Sequence, residues 1–149
     1  MINLKVTSRN DACILAAGFE AERAEYTKHF TAFSNYNNLL SIIEKKRKDL
    51  VWTIRFQNQI SGIYFLRGFD EGYCIPSFGI YVMEKFSGSG IARFALNDAI
   101  QKVQSMQIKH LMLKVSKKNI RAYKLYTEIG FVFNRRCPDT GQDILYLDI

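Results

Sequence analysis

GIYVMEKFSGSGIA, residues 79–92, is the stretch of the sequence that decides the fold. It starts as a β-rich run, passes through a turn that contains Gly88 and Gly90, and leads directly into an amphipathic helix predicted over 90–106. Such a turn presents several free backbone N–H groups and the positive end of the helix dipole to one point in space. Phosphate or diphosphate is the group that this arrangement binds best, so the sequence predicts a phosphate-bearing ligand here.

Length and composition limit the class of protein. The chain has 149 residues, of which 48% are hydrophobic and 23% charged, as expected for one globular domain over residues 1–149. No apolar run approaches the roughly 18 residues that cross a bilayer, and the first residues lack the order of a signal peptide. Three cysteines and two histidines without metal-ligand spacing predict no metal site. The odd number of cysteines favours a reduced, cytoplasmic setting.

The net charge of +7 favours an anionic partner. The dense basic run at 44–49 is bracketed by Glu44 and Asp49, and it ends a predicted helix over 39–48. Cations at that position complement the helix dipole, which makes the run a solvated helix end and not a nucleic-acid patch. The sequence contains no nucleic-acid recognition motif, so we expect neither a nucleic-acid partner nor a membrane.

The hydrophobic patterns predict a mixed α/β domain. Helical spacing covers 11–30, 39–48, 90–106 and 119–129, and Gly130 suits the end of the last helix. Runs of β-branched and aromatic residues predict strands at 3–7, 51–56, 60–69, 73–82, 110–115, 131–136 and 143–149. Turns are expected at Asn58-Gln59 and at 70–72, so the strands between 51 and 82 form an antiparallel meander. The last strand is apolar enough to pair within the sheet or across a homodimer.

Two common phosphate-binding turns do not match this sequence. A P-loop requires GxxxxGK[ST], which does not occur. A dinucleotide-binding turn requires GxGxxG and an acidic residue about 20 positions later. Arg93 occupies the third glycine position, and the segment 110–118 contains no acid.

A third pattern combines the turn with a second motif downstream. Ser87-Gly88-Ser89-Gly90-Ile91-Ala92 is similar to [Arg/Gln]-x-x-Gly-x-[Gly/Ala], which it matches at Gly90 and Ala92 and from which it departs at Ser87. Residues 111–131 follow the pattern Leu-x-Leu-x-Val-x-x-x-Asn-x-x-Ala-x-x-Leu-Tyr-x-x-x-Gly-Phe. In this order and at this spacing, the two motifs resemble the GNAT superfamily of N-acetyltransferases, which use acetyl-CoA as a cosubstrate.

The resemblance implies a fold and a coenzyme site. The fold is a mixed, mostly antiparallel sheet of six to seven strands, with two central parallel strands that splay apart, flanked by about four helices. The pantetheine arm would lie along the edge of one splayed strand, and main-chain N–H groups of the turn would hold the diphosphate. Asn119 would contact the coenzyme or only cap its helix. The residues implied at the coenzyme are Ile80, Tyr81, Val82, Ser87, Gly88, Ser89, Gly90, Ile91, Ala92, Asn119 and Ala122.

The resemblance also implies direct acyl transfer, with Tyr126 as the catalytic acid. A phenol is able to protonate a departing thiolate, and a main-chain N–H near Val82 would stabilise the oxyanion. The base that deprotonates the amine is open, because the segment 73–83 contains no acid. Glu84 is the expected catalytic base. The alternatives are Glu71 or His29 acting through water, a water wire ordered by the hydroxyls of Ser77 and Tyr81, or an amine that arrives already deprotonated.

The acceptor is the least determined part of the prediction. The predicted helix over 11–30 and the aromatic and polar segment 29–38 should form one wall of its site. This region contains few acids, which disfavours a polyamine and favours a polar amine, such as a nucleotide-linked amino sugar. A protein or peptide amine and an aminoglycoside-like amine stay open. A non-catalytic acyl-CoA-binding module is the competing function, supported by Ser87 and by the missing strand acid.

Overall fold

Seven strands and five helices make up the computed structural model, which describes all residues from 1 to 149. The strands are β1 Ile2–Val6, β2 Leu50–Phe56, β3 Gln59–Arg67, β4 Ser77–Val82, β5 His110–Val115, β6 Val132–Arg136 and β7 Asp143–Asp148. They form one sheet in the order β1-β2-β3-β4-β5-β7-β6, in which only β4 and β5 are parallel neighbours. This arrangement confirms the predicted fold class.

The helices cover both faces of the sheet. They are α1 Arg9–Ala21, α2 Ala24–Thr27, α3 Tyr36–Lys45, α4 Ile91–Ser105 and α5 Ile120–Ile129. Side chains of α1 and α3 pack with Ile63, Phe65 and Tyr81 in one core. Side chains of α4 and α5 pack with Tyr64 and Phe78 in the other, as expected because successive strand residues point to opposite faces. No helix has the length and apolar character that a membrane crossing requires.

The parallel strands β4 and β5 separate after a short contact. They pair at Ser77 with Met112 and at Phe78 with Leu113, whereas β4 pairs with β3 along its whole length. The N–H of Met83 donates to the carbonyl of Ser61 on the β3 side at 2.8 Å. Because hydrogen-bonding groups alternate along a strand, the main-chain groups of Ile80 and Val82 face the gap toward β5. The predicted splay is confirmed.

Several predicted boundaries were wrong because distant contacts override local pattern. The first helix stops at Ala21 and does not continue to residue 30. Its C-cap, Glu22, is extended, and its carboxylate accepts hydrogen bonds from the Tyr81 hydroxyl at 2.9 Å and the Glu84 N–H at 2.8 Å. These bonds hold the chain away from the axis of α1, so α2 begins as a separate helix. The protein therefore has five helices, one more than the four expected.

Other elements are shifted by their caps and turns. Helix α3 lies three residues earlier than predicted, because the Asn35 side chain caps it by accepting the Asn38 N–H at 2.9 Å. The β2–β3 turn is at Gln57 and Asn58, both with positive φ, one residue before the predicted turn. Strand β4 begins at Ser77 and not at 73, after a loop over 68–76.

The C-terminal strand pairs within the sheet. β7 lies between β5 and β6 and is hydrogen-bonded to both, so neither of its edges is open to a second copy of the chain. The edge strands of the sheet are β1 and β6. Formation of a homodimer through β7, one of the two predicted alternatives, is therefore excluded by the strand order.

Candidate functional site

The gap between β4 and β5 opens into a cleft of about 1020 Å³. Of the thirteen site residues predicted from the sequence, twelve line it and Ser89 does not. The twelve are Ile80, Tyr81, Val82, Glu84, Ser87, Gly88, Gly90, Ile91, Ala92, Asn119, Ala122 and Tyr126. We call the part lined by residues 87, 88, 90–93 and 118–121 the turn end. The part lined by residues 23, 25–32, Arg67 and Glu71 is the loop end.

The turn end is built on two glycines with left-handed backbone. Gly88 has φ of 82° and Gly90 has φ of 79°. Residues other than glycine are strained in this left-handed backbone conformation. Gly90 is the N-cap of α4 and supplies no side-chain cap, so the N–H groups of the first helical turn have no partner within the helix. The Ser87 N–H is occupied by the Glu84 carbonyl at 3.0 Å. The free main-chain donors therefore begin after Ser87.

Cations surround this turn. Arg93, Lys118 and Arg121 line the turn end, and no carboxylate lines it. Arg93 is paired with Glu128 at 2.7 Å, whereas Arg121 forms no ion pair. The Arg121 Nη2 lies 2.8 Å from the point that a Cβ on Gly88 would occupy. A guanidinium from α5 thus covers the turn where Ser87 replaces the expected Arg or Gln. Sequence reasoning missed this contact, although Arg121 lies inside the second motif.

Asn119 and Ala122 begin the helix that faces this turn. The Asn119 side chain accepts the Ala122 N–H at 3.3 Å, which makes Asn119 the N-cap of α5. Both residues also line the cleft. The capping role predicted as one alternative is therefore present, and a coenzyme contact is compatible with it.

Tyr126 lies in the wall of the cleft with 8% of its surface exposed. Its ring packs against Phe131 with centroids 6.1 Å apart. Burial raises the pKa of Tyr126 to about 12, with no hydrogen-bonded neighbour contributing. The phenol is therefore neutral across the physiological range and retains a proton that it is able to donate into the cleft.

Tyr26, which the sequence did not single out, holds the strand at the other side of the cleft. Its hydroxyl donates to the Val82 carbonyl at 2.6 Å. Burial, followed by the charges of Glu22 and Glu84, raises the pKa of Tyr26 to about 12, so this donor stays protonated. The contact fixes the peptide groups of Val82, whose main-chain N–H faces the gap.

The expected base, Glu84, is bound by a guanidinium. Arg23 Nε donates to the two carboxylate oxygens of Glu84 at 2.9 and 3.0 Å. Hydrogen bonding to Arg23 lowers the pKa of Glu84. A carboxylate stabilised in its charged form is a weaker proton acceptor, so the geometry argues against Glu84 as the base.

The other candidate bases differ in position. The Tyr81 hydroxyl donates to Glu22 at 2.9 Å, and burial followed by this bond raises the pKa of Tyr81, which disfavours its use as a base. Tyr81 also packs among Phe19, Phe30 and Phe33 on the α1 side of the sheet. His29 is half-buried and lines the cleft, as do Glu71 and Ser77.

Comparison with known proteins agrees with this geometry. A family model described as the acetyltransferase (GNAT) family matches residues 15–131. No curated protein matches the chain. Similar solved structures include a domain from Methanocaldococcus jannaschii, with TM-score 0.83, 18% identity and coverage of 100% of this chain and 99% of that chain.

Two further structures carry functional descriptions. The microcin C7 self-immunity acetyltransferase MccE, in complex with acetyl-CoA and AMP, has TM-score 0.80 and 21% identity, covering 99% of this chain and 92% of its own. Spermidine N-acetyltransferase from Vibrio cholerae, in complex with CoA and spermine, has TM-score 0.79 and 17% identity, covering 99% and 95%. At these identities the likeness establishes a common fold.

Proposed function

Because the chain belongs to the acetyltransferase (GNAT) family, we propose that it transfers an acetyl group from acetyl-CoA to a primary amine by direct attack. The observation that carries this proposal is that one cleft brings together the glycine turn, the free edge of β4 and the buried phenol of Tyr126. A diphosphate site alone would fit many ligands. A proton donor in the wall of the same cleft adds the group that a departing thiolate requires.

The coenzyme would occupy the turn end. Main-chain N–H groups from Gly88 to Ala92 face a region without carboxylates, and Arg121 supplies a charge that is not neutralised by a partner. The pantetheine arm would lie along β4, where the main-chain groups of Ile80 and Val82 are not used by β5. Together these features provide donors for the diphosphate and a strand edge for the amide-containing arm.

The reaction would proceed in one cleft without a covalent enzyme intermediate. The lone pair of the neutral amine forms the C–N bond to the thioester carbonyl, and the main-chain N–H of Val82 stabilises the oxyanion. The C–S bond then breaks, and Tyr126 donates its proton to the thiolate of coenzyme A. The amine's own proton leaves to a base, and the phenol is reprotonated from solvent.

We assign that base to His29, acting directly or through water. His29 is half-buried, it lines the cleft, and imidazole is the side chain most often used in this role. Glu71 also lines the loop end and is the second candidate. Glu84 is disfavoured by its hydrogen bonds to Arg23.

The acceptor we propose is a nucleotide-linked amino sugar or another small polar amine. At the loop end, Glu25 is paired with Lys28 at 2.6 Å and Glu84 with Arg23, so Glu71 is the one carboxylate there that no ion pair neutralises. A polyamine would need several such carboxylates. The likeness to MccE, which was solved with AMP, supports a nucleotide-bearing acceptor. A protein or peptide amine is the alternative acceptor.

Thiol release measures this function directly. With acetyl-CoA and a panel of amino sugars, nucleotide-linked amino sugars, peptides and polyamines, we expect coenzyme A release with at least one polar amine. Saturating acetyl-CoA should raise the melting temperature and shift the amide signals of residues 88–92. Shifts without release from any amine would favour a non-catalytic acyl-CoA-binding module, and no shifts at all would contradict the coenzyme site.

The cellular setting follows from separate features. Cys13, Cys74 and Cys137 are free thiols, which is usual in a reducing compartment, and we propose that the enzyme acts in the cytoplasm. This proposal is independent of the acceptor's identity.

A further inference from the structure

A second, smaller cavity opens from the loop end of the cleft. Its volume is about 170 Å³, and no hydrophobic side chain lines it. Three segments that are distant in sequence meet there, namely the α2–α3 connection, the residue after β5 and the β6–β7 turn. We call it the side cavity. Its side chains come from Lys28, His29, Thr31, Ser116, Thr140 and Gln142.

The side cavity adjoins the cleft. Lys28, His29, Thr31, Ser116 and Gln142 line both spaces. None of the residues of the glycine turn lines the side cavity. A molecule whose amine lies in the cleft is therefore able to extend into the side cavity without entering the coenzyme site.

The chemistry of the lining selects for negative charge. An ammonium, three hydroxyls and an amide supply hydrogen-bond donors, and no carboxylate is present. A cationic group would meet the Lys28 ammonium, and no carboxylate lines the side cavity to receive it. A phosphoryl or carboxylate group would instead receive a charge-assisted hydrogen bond from Lys28 and further bonds from the hydroxyls of Thr31 and Thr140.

Gln142 is an independent sign that the side cavity is incomplete. The residue is 8% exposed, and its side-chain Oε1 is fully buried without a hydrogen-bond partner in the protein. Buried polar atoms are almost always paired, and an unpaired one calls for an explanation. The main-chain carbonyl of Gln142 accepts the Cys137 N–H at 2.7 Å, which holds the backbone of the β6–β7 turn in place. Because Oε1 accepts hydrogen bonds, a ligand would complete its pairing only with an N–H or O–H donor, and the anionic group itself would bind Lys28 and the hydroxyls instead.

Lys28 is available for such a ligand. It is paired with Glu25 at 2.6 Å, three residues earlier in the chain, and both side chains are about half exposed or more. Exposed ion pairs of this kind contribute little to stability. Exchange of the Glu25 carboxylate for a ligand anion therefore meets little resistance.

We propose that the side cavity binds the anionic group of the acceptor, phosphoryl or carboxylate, and thereby positions the acceptor's amine in the cleft. The proposal rests on the acetyltransferase function proposed above, and it identifies the acceptor as a primary amine that carries a negative charge. The side cavity would then determine acceptor selectivity, while the turn end binds the coenzyme.

Binding of small amines to the CoA-saturated protein tests the side cavity without turnover. The probes are O-phosphoethanolamine, β-alanine, ethanolamine and spermidine, followed by amide signals in heteronuclear NMR spectra. We expect shifts at residues 28–31 and 140–142 with O-phosphoethanolamine, β-alanine or both, and no such shifts with ethanolamine or spermidine. The two anionic probes distinguish a phosphoryl from a carboxylate ligand. Shifts with spermidine alone, or at none of these residues, would overturn the proposal.

Two substitutions make the test specific. Lys28→Met removes the charge and keeps the hydrocarbon stem, and Thr31→Val replaces a hydroxyl by a methyl group. We expect Lys28→Met to weaken binding of the anionic probe about tenfold, as for a lost charge-assisted hydrogen bond, and Thr31→Val to weaken it less. Lys45→Met, in the exposed last turn of α3 and outside both cavities, is the matched control and should bind as the unmodified protein does. Equal binding by Lys28→Met and Lys45→Met would contradict the assignment.

Thiol release separates the two proposals. Two results together would support both the acetyltransferase function and the side cavity. Thiol release is faster with an anionic amine than with its neutral analogue, and the Lys28→Met protein loses this preference. Release at equal rates with O-phosphoethanolamine and ethanolamine leaves the acetyltransferase function intact and overturns the side cavity. If no amine releases thiol, the function fails, and the NMR titration still decides whether the side cavity binds anions.

Discussion

The two ends of the cleft are built by different means. The turn end uses main-chain N–H groups of one short segment together with cations, and no carboxylate lines it. Of these cations, Arg93 is paired with Glu128 and Arg121 forms no ion pair. The loop end uses side chains from segments far apart in sequence, and its carboxylates Glu25 and Glu84 are each neutralised by a neighbouring cation. A main-chain site tolerates side-chain change, whereas a side-chain site is altered by each substitution.

Because the two ends of the cleft are built differently, we expect them to bind different ligands. A ligand shared by all relatives of a fold is best bound by backbone geometry, because that geometry survives divergence at low sequence identity. A ligand particular to one protein is best selected by side chains on connecting loops. Variants at the turn end should therefore change the apparent affinity for acetyl-CoA, and variants at the loop end should change the apparent affinity for the amine.

The largest effect is expected between the two ends, at Tyr126. Tyr126→Phe removes the proposed proton donor and leaves the packed ring against Phe131. We expect kcat to fall about 100-fold, the lower range for loss of a general acid, with little change in KM for acetyl-CoA. Steady-state kinetics of thiol release measure kcat and KM for the two proteins.

Tyr123→Phe is the matched control for Tyr126→Phe. Tyr123 is on the same helix, outside the cleft, and its hydroxyl donates to Asp143 at 2.9 Å. We expect this control to lose stability in thermal unfolding and to retain kcat. A Tyr126→Phe enzyme with kcat within threefold of the unmodified protein would remove Tyr126 from the mechanism.

The next largest effect concerns the turn end and Arg121. Arg121→Ala removes the unpaired guanidinium over Gly88, and we expect KM for acetyl-CoA to rise about tenfold, as for loss of one charge-assisted contact. KM for the amine should not change. Arg93→Ala is the control, because Arg93 is already engaged by Glu128. Equal increases in KM for acetyl-CoA in Arg121→Ala and Arg93→Ala would show that only the total positive charge of the turn end matters.

The turn end could be predicted from the sequence because its determinants are local. The turn at Gly88 and Gly90 and the helix between Asn119 and Gly130 are each specified by residues a few positions apart. Asn119 caps the N-terminus of α5 through Ala122, and Gly130, with φ of 122°, ends it. Such caps act over one helical turn, so a single sequence reveals them.

The loop end could not be predicted in the same way. The end of α1 depends on Glu22, which accepts bonds from residues 59 and 62 positions away. The Tyr26 contact with Val82 spans 56 positions. The side cavity joins three segments between residues 28 and 142. No periodicity or short motif encodes these distances. The sequence predicted a wall from 11–30 and 29–38, of which residues between 23 and 32 line the cleft and 33–38 do not, and it missed the groups that shape this end.

A moderate effect is expected for Tyr26, which holds β4 at the loop end. Tyr26→Phe removes the hydrogen bond to the Val82 carbonyl and keeps the ring in place. We expect kcat/KM for the amine to fall about fivefold, within the range for one neutral hydrogen bond, while KM for acetyl-CoA is retained. Tyr36→Phe, at the first position of α3 and outside the cleft, is the control. An increase in KM for acetyl-CoA alone would assign Tyr26 to the turn end.

The smallest effect is expected for Glu84. Because hydrogen bonding to Arg23 lowers the pKa of Glu84 below its ordinary value of 4.5, the carboxylate stays charged and paired at every pH above that value. Its contribution to stability is therefore present above pH 4.5 and is lost only as the pH falls through the lower folded pKa. Glu84→Gln should change kcat by less than about threefold, since an exposed ion pair is weak and no proton transfer is lost.

The pH profile of Glu84→Gln decides between an ion pair and a base at the loop end. If Glu84 only holds Arg23, the profile of kcat/KM for the amine between pH 5 and 9 should keep its shape in Glu84→Gln. His29→Gln, by contrast, removes the proposed base and should lower kcat/KM for the amine across this range. An acidic limb that is present in the unmodified protein and disappears in Glu84→Gln would restore Glu84 as the base, and the loop end would then contain a catalytic carboxylate despite its neutralising cation.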